Sequence, residues 1–382
     1  MTVVRIASIA GGVLLVGWTL LSAIRTVILP RSAQVAITRW VFRTLRVPFR
    51  LIAGERRTYD ARDRVMALYA PVGLVCLPAV WLSLVCVGFT LIFFGVRGSS
   101  LSDAFHLSGS SLTTLGFAPA DTLAERTVAF IAAGFGLFLA ALMVTYLPSM
   151  YSAFSRRETE VALLEVRAGN PPSAVEFLQR HHAIGWLDDL DDTWLGWERW
   201  FADLEESHTS YPALAFFRSP LPDQSWVVAA GTVLDAASMY MSCIPDGQMG
   251  PPGVCVRAGY LALRDIAGFF GIPFDPDPAP DDRISITRAE FDAAMAQLAA
   301  AGVPLVDDHA QAWLAFAGWR VNYDGVLLAL AQITMAPVAP WTSDRSAPGL
   351  GEPRIRRFGR RLHGESAADR EADARTYNHF RR

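Results

Sequence analysis

Lysine is absent: all 34 basic residues of the 382-residue chain are arginine. With abundant alanine, this reads as the coding bias of a GC-rich bacterial genome rather than as chemistry. Cysteine is scarce, with Cys76 and Cys86 inside an apolar run and Cys243 and Cys255 far downstream. No paired spacing results, so neither a disulfide framework nor a zinc motif is expected. No G-x-G-x-x-G follows a strand pattern, which removes the dinucleotide-binding signature. Period-2 alternation is rare, which argues against sheets. No nucleophile–base pairing or other catalytic motif is recognisable, so the chain is not expected to be an enzyme. The net charge of −3 says little by itself, and nucleic acid is not an expected partner.

What is present is hydrocarbon, unevenly spread. Hydrophobic residues make up 52% of the chain and mean hydropathy is +0.27. This suits a membrane part joined to a soluble domain. Ile6–Ile24 carries no charge over 19 residues, enough to cross a bilayer core. Val65–Val96 is a second uncharged run, with Pro71 and Pro78 able to bend it, and Val128–Phe154 is a third, closed by Arg156 and Arg157. Residues 31–64 hold nine arginines against Glu55, Asp60 and Asp63, which marks them as cytoplasmic. The N-terminus and the stretch between the second and third spans then fall outside, and everything after the third span inside. Ala33–Ile52 has the composition of a basic helix lying on an anionic leaflet and broken at Pro48.

Between the second and third spans lies Asp103–Ala118, D-A-F-H-L-S-G-S-S-L-T-T-L-G-F-A. A helix of about three turns is predicted over Ser102–Leu112, followed by Thr113-Thr114-Leu115-Gly116-Phe117-Ala118. This resembles the pore loop of the potassium channel superfamily, whose short half-spanning helix ends in T-V-G-Y-G. Thr114, Leu115, Gly116 and Phe117 fall on the first four filter positions, and Thr113 on the threonine before them. Ala104, Phe105 and Ser108 match common pore-helix positions. The likeness breaks at Ala118, where the family has its second glycine, and at Pro119, where an acidic residue is usual. It covers about residues 65–155.

The resemblance implies a two-helix-plus-pore-loop module at 65–157, with outer helix 65–96, pore helix and filter 102–118 and inner helix 128–154. It implies that carbonyls of Thr114, Leu115, Gly116 and Phe117 replace the water shell of K⁺. Successive carbonyls reach one axis only through alternating backbone geometry, which Gly116 permits and Ala118 resists. Asp121 would sit at the outer mouth, and His106 could sense external pH or pack behind the filter. Gly134 or Gly136 is the hinge candidate in the third span, with Pro148 a second kink; plain helix packing explains either glycine as well. One loop cannot surround an ion, so a homotetramer is implied. Potassium is then the transported species, no cofactor is expected, and the partners are the lipid bilayer, K⁺ and further copies of the chain.

The expected fold class is therefore all-α. A peripheral transmembrane helix (1–30) and a basic interfacial segment (31–64) precede the pore module, and a helical cytoplasmic domain (158–340) and a disordered tail (341–382) follow it. Helices are predicted at Glu158–Arg167, Ser173–His182, Thr193–Leu204, Trp226–Met241, Val256–Phe269, Arg288–Ala301 and His309–Ile333, with loops at 247–253 and 275–282. Thr287-x-x-Glu290 is a capping-box pattern. Asp235 argues that Trp226–Ile244 is a buried core helix rather than a fourth span. Asp188, Asp189, Asp191 and Asp192, with His181 or His182, offer ligands for a divalent ion. The simpler reading is acid at a helix start, with Trp194, Trp197 and Trp200 packing inward. The function expected is a tetrameric cation channel, most readily for K⁺, gated via the cytoplasmic domain. Ala118 and Pro119 favour the alternative of a non-conducting membrane-anchored sensor or scaffold, and a tethered enzyme has only the size of the soluble domain behind it.

Overall fold

The computed structural model describes residues 2–27, 36–53, 59–245, 247 and 249–345. It contains no strand among the described residues. The chain divides into two units, residues 1–154 and 155–382.

The first unit opens with α1 (Thr2–Val27), α2 (Ala36–Ala53), α3 (Tyr59–Ala67) and α4 (Tyr69–Arg97). The short α5 (Leu101–Leu112) and the first part of α6 (Leu123–Ala168) complete it. Three stretches are long and apolar enough to cross a membrane: Thr2–Val27, Ala61–Arg97 and Leu123–Ala168. Their shared core gathers Val16 and Leu20 of α1, Trp81, Val85, Phe89 and Phe93 of α4, Leu107 and Leu112 of α5, and Leu139 and Leu142 of α6. A Cβ on Gly88 of α4 would come 2.6 Å from Val16 Cγ2 and 3.1 Å from Gly12 O of α1, so the small residue lets the two helices close up.

Pro48 does not break α2, and Pro71 falls in the first turn of α4, where backbone N–H groups lack helical acceptors anyway. Helix α6 runs on past Arg157 through the stretch expected as a separate helix at 158–167. No glycine or proline interrupts 149–168, and the stop comes at Gly169, which has φ +82°.

The second unit takes the last turns of α6, then α7 (Ala174–Ala183), α8 (Asp191–Ser210), a 3₁₀ turn (Pro212–Phe216), α9 (Trp226–Cys243), α10 (Gly250–Phe270), α11 (Arg288–Ala300), α12 (His309–Arg320) and α13 (Asp324–Thr334). Its core centres on α9, where Val227, Ala230, Val233 and Ala237 are fully buried. Around it pack Phe177, Trp194, Phe201, Leu263, Phe291, Phe316 and Leu327. Trp194, Trp197 and Trp200 all face inward. Thr287 and Glu290 form the capping box.

Two expectations change here. Helix α10 begins at Gly250, inside the expected 247–253 loop, because Pro251 and Pro252 occupy a first turn that needs no N–H donors. The single helix expected over His309–Ile333 divides at Val321–Tyr323. Asn322 Nδ2 donates to the Gly318 and Trp319 carbonyls, and its own carbonyl accepts from Arg264 Nε at 3.0 Å.

Asp235 is buried in α9 as a core residue and meets the Arg320 guanidinium, with Oδ2 2.6 Å from Nη1. Arg320 Nε donates to Asp324 Oδ1 at 2.8 Å and Nη2 to the Trp341 carbonyl at 2.6 Å. Tyr323 Oη donates to Asp235 Oδ1 at 2.9 Å. The domain thereby extends past 340: Trp341 lies against Phe316, Thr342 is buried, and Arg345 pairs with Glu290 at 2.8 Å. Residues 346–382 of the expected tail, like 28–35 and 54–58 of the basic segment, lie outside the described residues.

Candidate functional site: the α5 helix and the Thr113–Ala118 loop

Helix α5 is short because its sequence caps it at both ends. Ser100 is the N-cap and accepts the Asp103 N–H at 3.1 Å. At the far end the Thr113 N–H returns to Gly109 O at 3.0 Å, and its hydroxyl donates to the same carbonyl at 2.6 Å. Twelve residues give about 18 Å of helix, roughly half a bilayer core. Ala104, Leu107 and Leu112 bury one face. Ser108 is fully buried and donates to the Cys86 carbonyl of α4 at 2.8 Å.

Beyond α5 the chain reverses through Thr113–Ala118. Thr114 has φ +57° and Gly116 φ +72°, two left-handed positions separated by one residue. For a β-branched threonine this conformation is a genuine outlier. The Thr114 N–H donates to Ser111 O at 3.0 Å, and the Gly116 N–H to Ser110 O at 3.2 Å. Ala118 is not left-handed, and its N–H donates to Ser110 Oγ at 3.0 Å. The position where the resemblance has a second glycine thus takes another geometry. Thr113, Thr114, Leu115, Gly116 and Phe117 are all exposed, while Ala118 is half-buried. A Cβ on Gly116 would meet nothing within 4 Å. His106 is exposed and stands edge-on to Phe117, with ring centres 6.4 Å apart.

Asp121 is not a bare carboxylate. Arg97, in the last turn of α4, pairs with it at 2.9 Å. Its backbone N–H donates to Glu125 Oε2 at 2.9 Å, and Thr122 Oγ1 accepts the Glu125 N–H at 3.2 Å. Arg126 Nε donates to the Ala120 carbonyl at 3.1 Å, so the loop's far end is tied to the start of α6.

The two hinge candidates differ. Gly134 is exposed, and a Cβ there would find open space. Gly136 lies against the end of α5, where a Cβ would stand 1.9 Å from the Leu112 carbonyl oxygen. Its lack of a side chain serves close packing under the loop. Pro148 is exposed within α6.

The acidic run of the second unit is spread along its surface. Asp188, Asp189, Asp191 and Asp192 are exposed, with Asp191 and Asp192 in the first turn of α8. His181 is buried, bonds the Phe177 carbonyl through Nδ1 at 2.7 Å and stacks on the Phe177 ring. His182 is half-buried nearby on α7. No group of three or more His, Cys, Asp and Glu side chains suited to a metal occurs among the described residues.

Sequence reasoning missed Ser110, Arg97 and Glu125. Thr122-Leu123-Ala124-Glu125 has capping-box spacing and was a readable signal for Glu125. Nothing in the spacing singles out Ser110 from Ser108 and Ser111, because its role depends on how the loop folds back. Arg97 meets Asp121 only through the tertiary fold.

Three such helices, with a short capped helix between the second and third, define a class: a helical membrane protein. The chain is similar, at 25% identity over 227 residues, to a protein of Bacillus subtilis (strain 168) described as uncharacterized membrane protein YdjJ. That match covers 56% of this chain and 64% of the relative, so the chain spans a little under two thirds of its length. No family model and no solved structure matches.

Proposed function

We propose that the protein is a cation channel, most readily for K⁺, formed by four copies of the chain and gated through its second unit. The observation that carries this reading is the loop backbone. A half-length helix between two spans ends in a turn with left-handed geometry at Thr114 and Gly116, and five consecutive residues of that turn are exposed. Alternating backbone geometry is what brings successive carbonyls to one side of a strand of chain, where they can replace ion hydration. Carbonyls of Thr114, Leu115, Gly116 and Phe117 would line the path. Arginine bias would place the loop outside and the second unit in the cytoplasm of a bacterial inner membrane.

The test is K⁺ flux into liposomes holding the purified full chain, with Na⁺ flux in parallel. Saturable, K⁺-preferring uptake supports the channel; impermeable liposomes with correctly inserted protein sink it. A second reading has its own observation. Ala118 turns away from the left-handed geometry and is tied to Ser110, followed by Pro119. A closed loop of this kind suits a non-conducting membrane-anchored sensor, which the same flux measurement separates from the channel.

A further inference from the structure

Helix α2 carries three sectors around its circumference. One is spent on the fold. Ile37, Val41 and Ala53 are buried, and Leu45 and Phe49 are half-buried between them. Tyr69 of α4 clamps this side: its hydroxyl donates to the Phe42 carbonyl at 2.9 Å, and its ring meets Phe42 and Phe49 edge-on at 5.9 and 5.6 Å. Thr38 Oγ1 lies 3.0 Å from Thr26 Oγ1 of α1. The helix is therefore held in a fixed rotation.

That rotation leaves two other sectors outward. Arg39, Arg43, Arg46 and Arg50 recur at i, i+4, i+7 and i+11, one stripe of a helix. Arg43 and Arg50 are exposed, and Arg39 and Arg46 half-buried. Beside them, at the same spacing one residue on, stand Trp40, Val47 and Leu51, which are 63%, 60% and 77% exposed. An apolar stripe left bare next to a stripe of four guanidinium groups is a liability in water.

We infer that this face of α2 binds anionic phospholipid of the membrane leaflet, phosphate against the arginine stripe and acyl chain against Trp40, Val47 and Leu51. One ligand class offers both surfaces side by side. A water-soluble phosphate would leave the apolar stripe bare. A second copy of α2 would bring four guanidinium groups against four. The inference concerns lipid alone and stands whether or not the chain conducts ions.

The test is native mass spectrometry of the full chain, delipidated in neutral detergent and reloaded with phosphatidylglycerol or phosphatidylcholine of the same acyl chains. Phosphatidylglycerol should be retained about thirtyfold more strongly or better, since each of the two exposed arginines, Arg43 and Arg50, adds about fivefold. Arg43→Gln with Arg50→Gln should weaken phosphatidylglycerol by about thirtyfold and leave phosphatidylcholine unchanged. Trp40→Ser, Val47→Ser and Leu51→Ser together should weaken both lipids. Arg43→Lys with Arg50→Lys should keep the preference. In the unmutated chain, raising salt from about 0.01 to about 1 M should shrink it, which needs no variant to fold. Equal retention of the two lipids overturns the inference, as does a preference that survives loss of the arginine charges. Displacement by glycerol phosphate would assign the stripe to a free anion instead. A change of oligomer mass in the apolar variant, with lipid preference intact, would make the face a contact between copies.

Discussion

Ser110 holds Ala118: its hydroxyl, buried at the last turn of α5, accepts the Ala118 N–H at 3.0 Å. Its carbonyl accepts the Gly116 N–H as well, so one residue fixes the loop at two points. Ser110→Ala removes the acceptor and leaves a half-buried N–H unmatched, a loss of about 1–3 kcal/mol. The protein should still insert. On the channel reading, liposome flux should fall or lose its preference for K⁺ over Na⁺, because the end of the loop at Ala118 is released. Unchanged flux with unchanged ion preference would remove Ser110 from any positioning role.

Gly134 and Gly136 sit half a turn apart on α6 and give opposite expectations. At Gly136 a Cβ would collide with the Leu112 carbonyl, which is backbone and cannot rotate away. Gly136→Ala should therefore force α5 and α6 apart and lower the thermal midpoint of the detergent-solubilised chain. Overpacking of this kind costs about 1–3 kcal/mol. Gly134→Ala meets open space and replaces glycine by the best helix former, so the midpoint should hold or rise. Equal effects at the two positions would contradict the packing described for Gly136.

The long-range architecture was legible where chemistry repeats. Uncharged runs announced the three apolar helices, and Trp194, Trp197 and Trp200 announced the inner face of α8, because burial leaves a periodic trace. Asp235 was readable as a core residue, but its partner Arg320 lies 85 positions away and no local pattern links them. The division between α12 and α13 was illegible for the same reason: Asn322 ends the helix through bonds to Arg264 on another element. In the loop, the need for a left-handed Gly116 was readable from residue type. The left-handed Thr114 was not, since a β-branched residue argues against that conformation.

His208 makes the second unit acid-sensitive. It is fully buried; Arg157 Nη1 lies 3.1 Å from Nε2, and Nδ1 lies 2.9 Å from the Leu204 carbonyl. The arginine can only donate, so the ring is neutral with its proton on Nδ1. Burial and the neighbouring Arg157 charge hold its pKa well below the ordinary histidine value. The unfolded chain then takes up this proton first as pH falls. The contribution of a neutral His208 is complete above about pH 6.5 and is lost on acidification toward the folded pKa, at up to about 1.4 kcal/mol per pH unit. Thermal midpoints of the full chain measured from pH 7.5 to 5 should fall. His208→Gln, which carries no titrating group, should flatten that slope by about one proton. A slope equal in both proteins would assign the acid sensitivity elsewhere.

Gly116 gives the sharpest test of the loop, because at this position shape and conformation separate. Its φ of +72° is left-handed, yet a Cβ there would touch nothing within 4 Å of the same chain. Gly116→Ala therefore introduces no clash within the chain and acts through the backbone, at about 1–2 kcal/mol for a left-handed L-residue. That is too little to prevent insertion and should lower the thermal midpoint by only a few degrees. It is enough to tip the Gly116 peptide into another orientation, turning a carbonyl out of line with its neighbours. On the channel reading, K⁺ flux should disappear while the protein remains in the membrane. Ala118→Gly works in the other direction: it makes the left-handed geometry accessible where alanine avoids it, and should sharpen K⁺ over Na⁺ discrimination. Liposomes that carry the same K⁺ flux with Gly116→Ala as without it would mean that these carbonyls do not line the path. The membrane-anchored sensor would then be the better account of the chain.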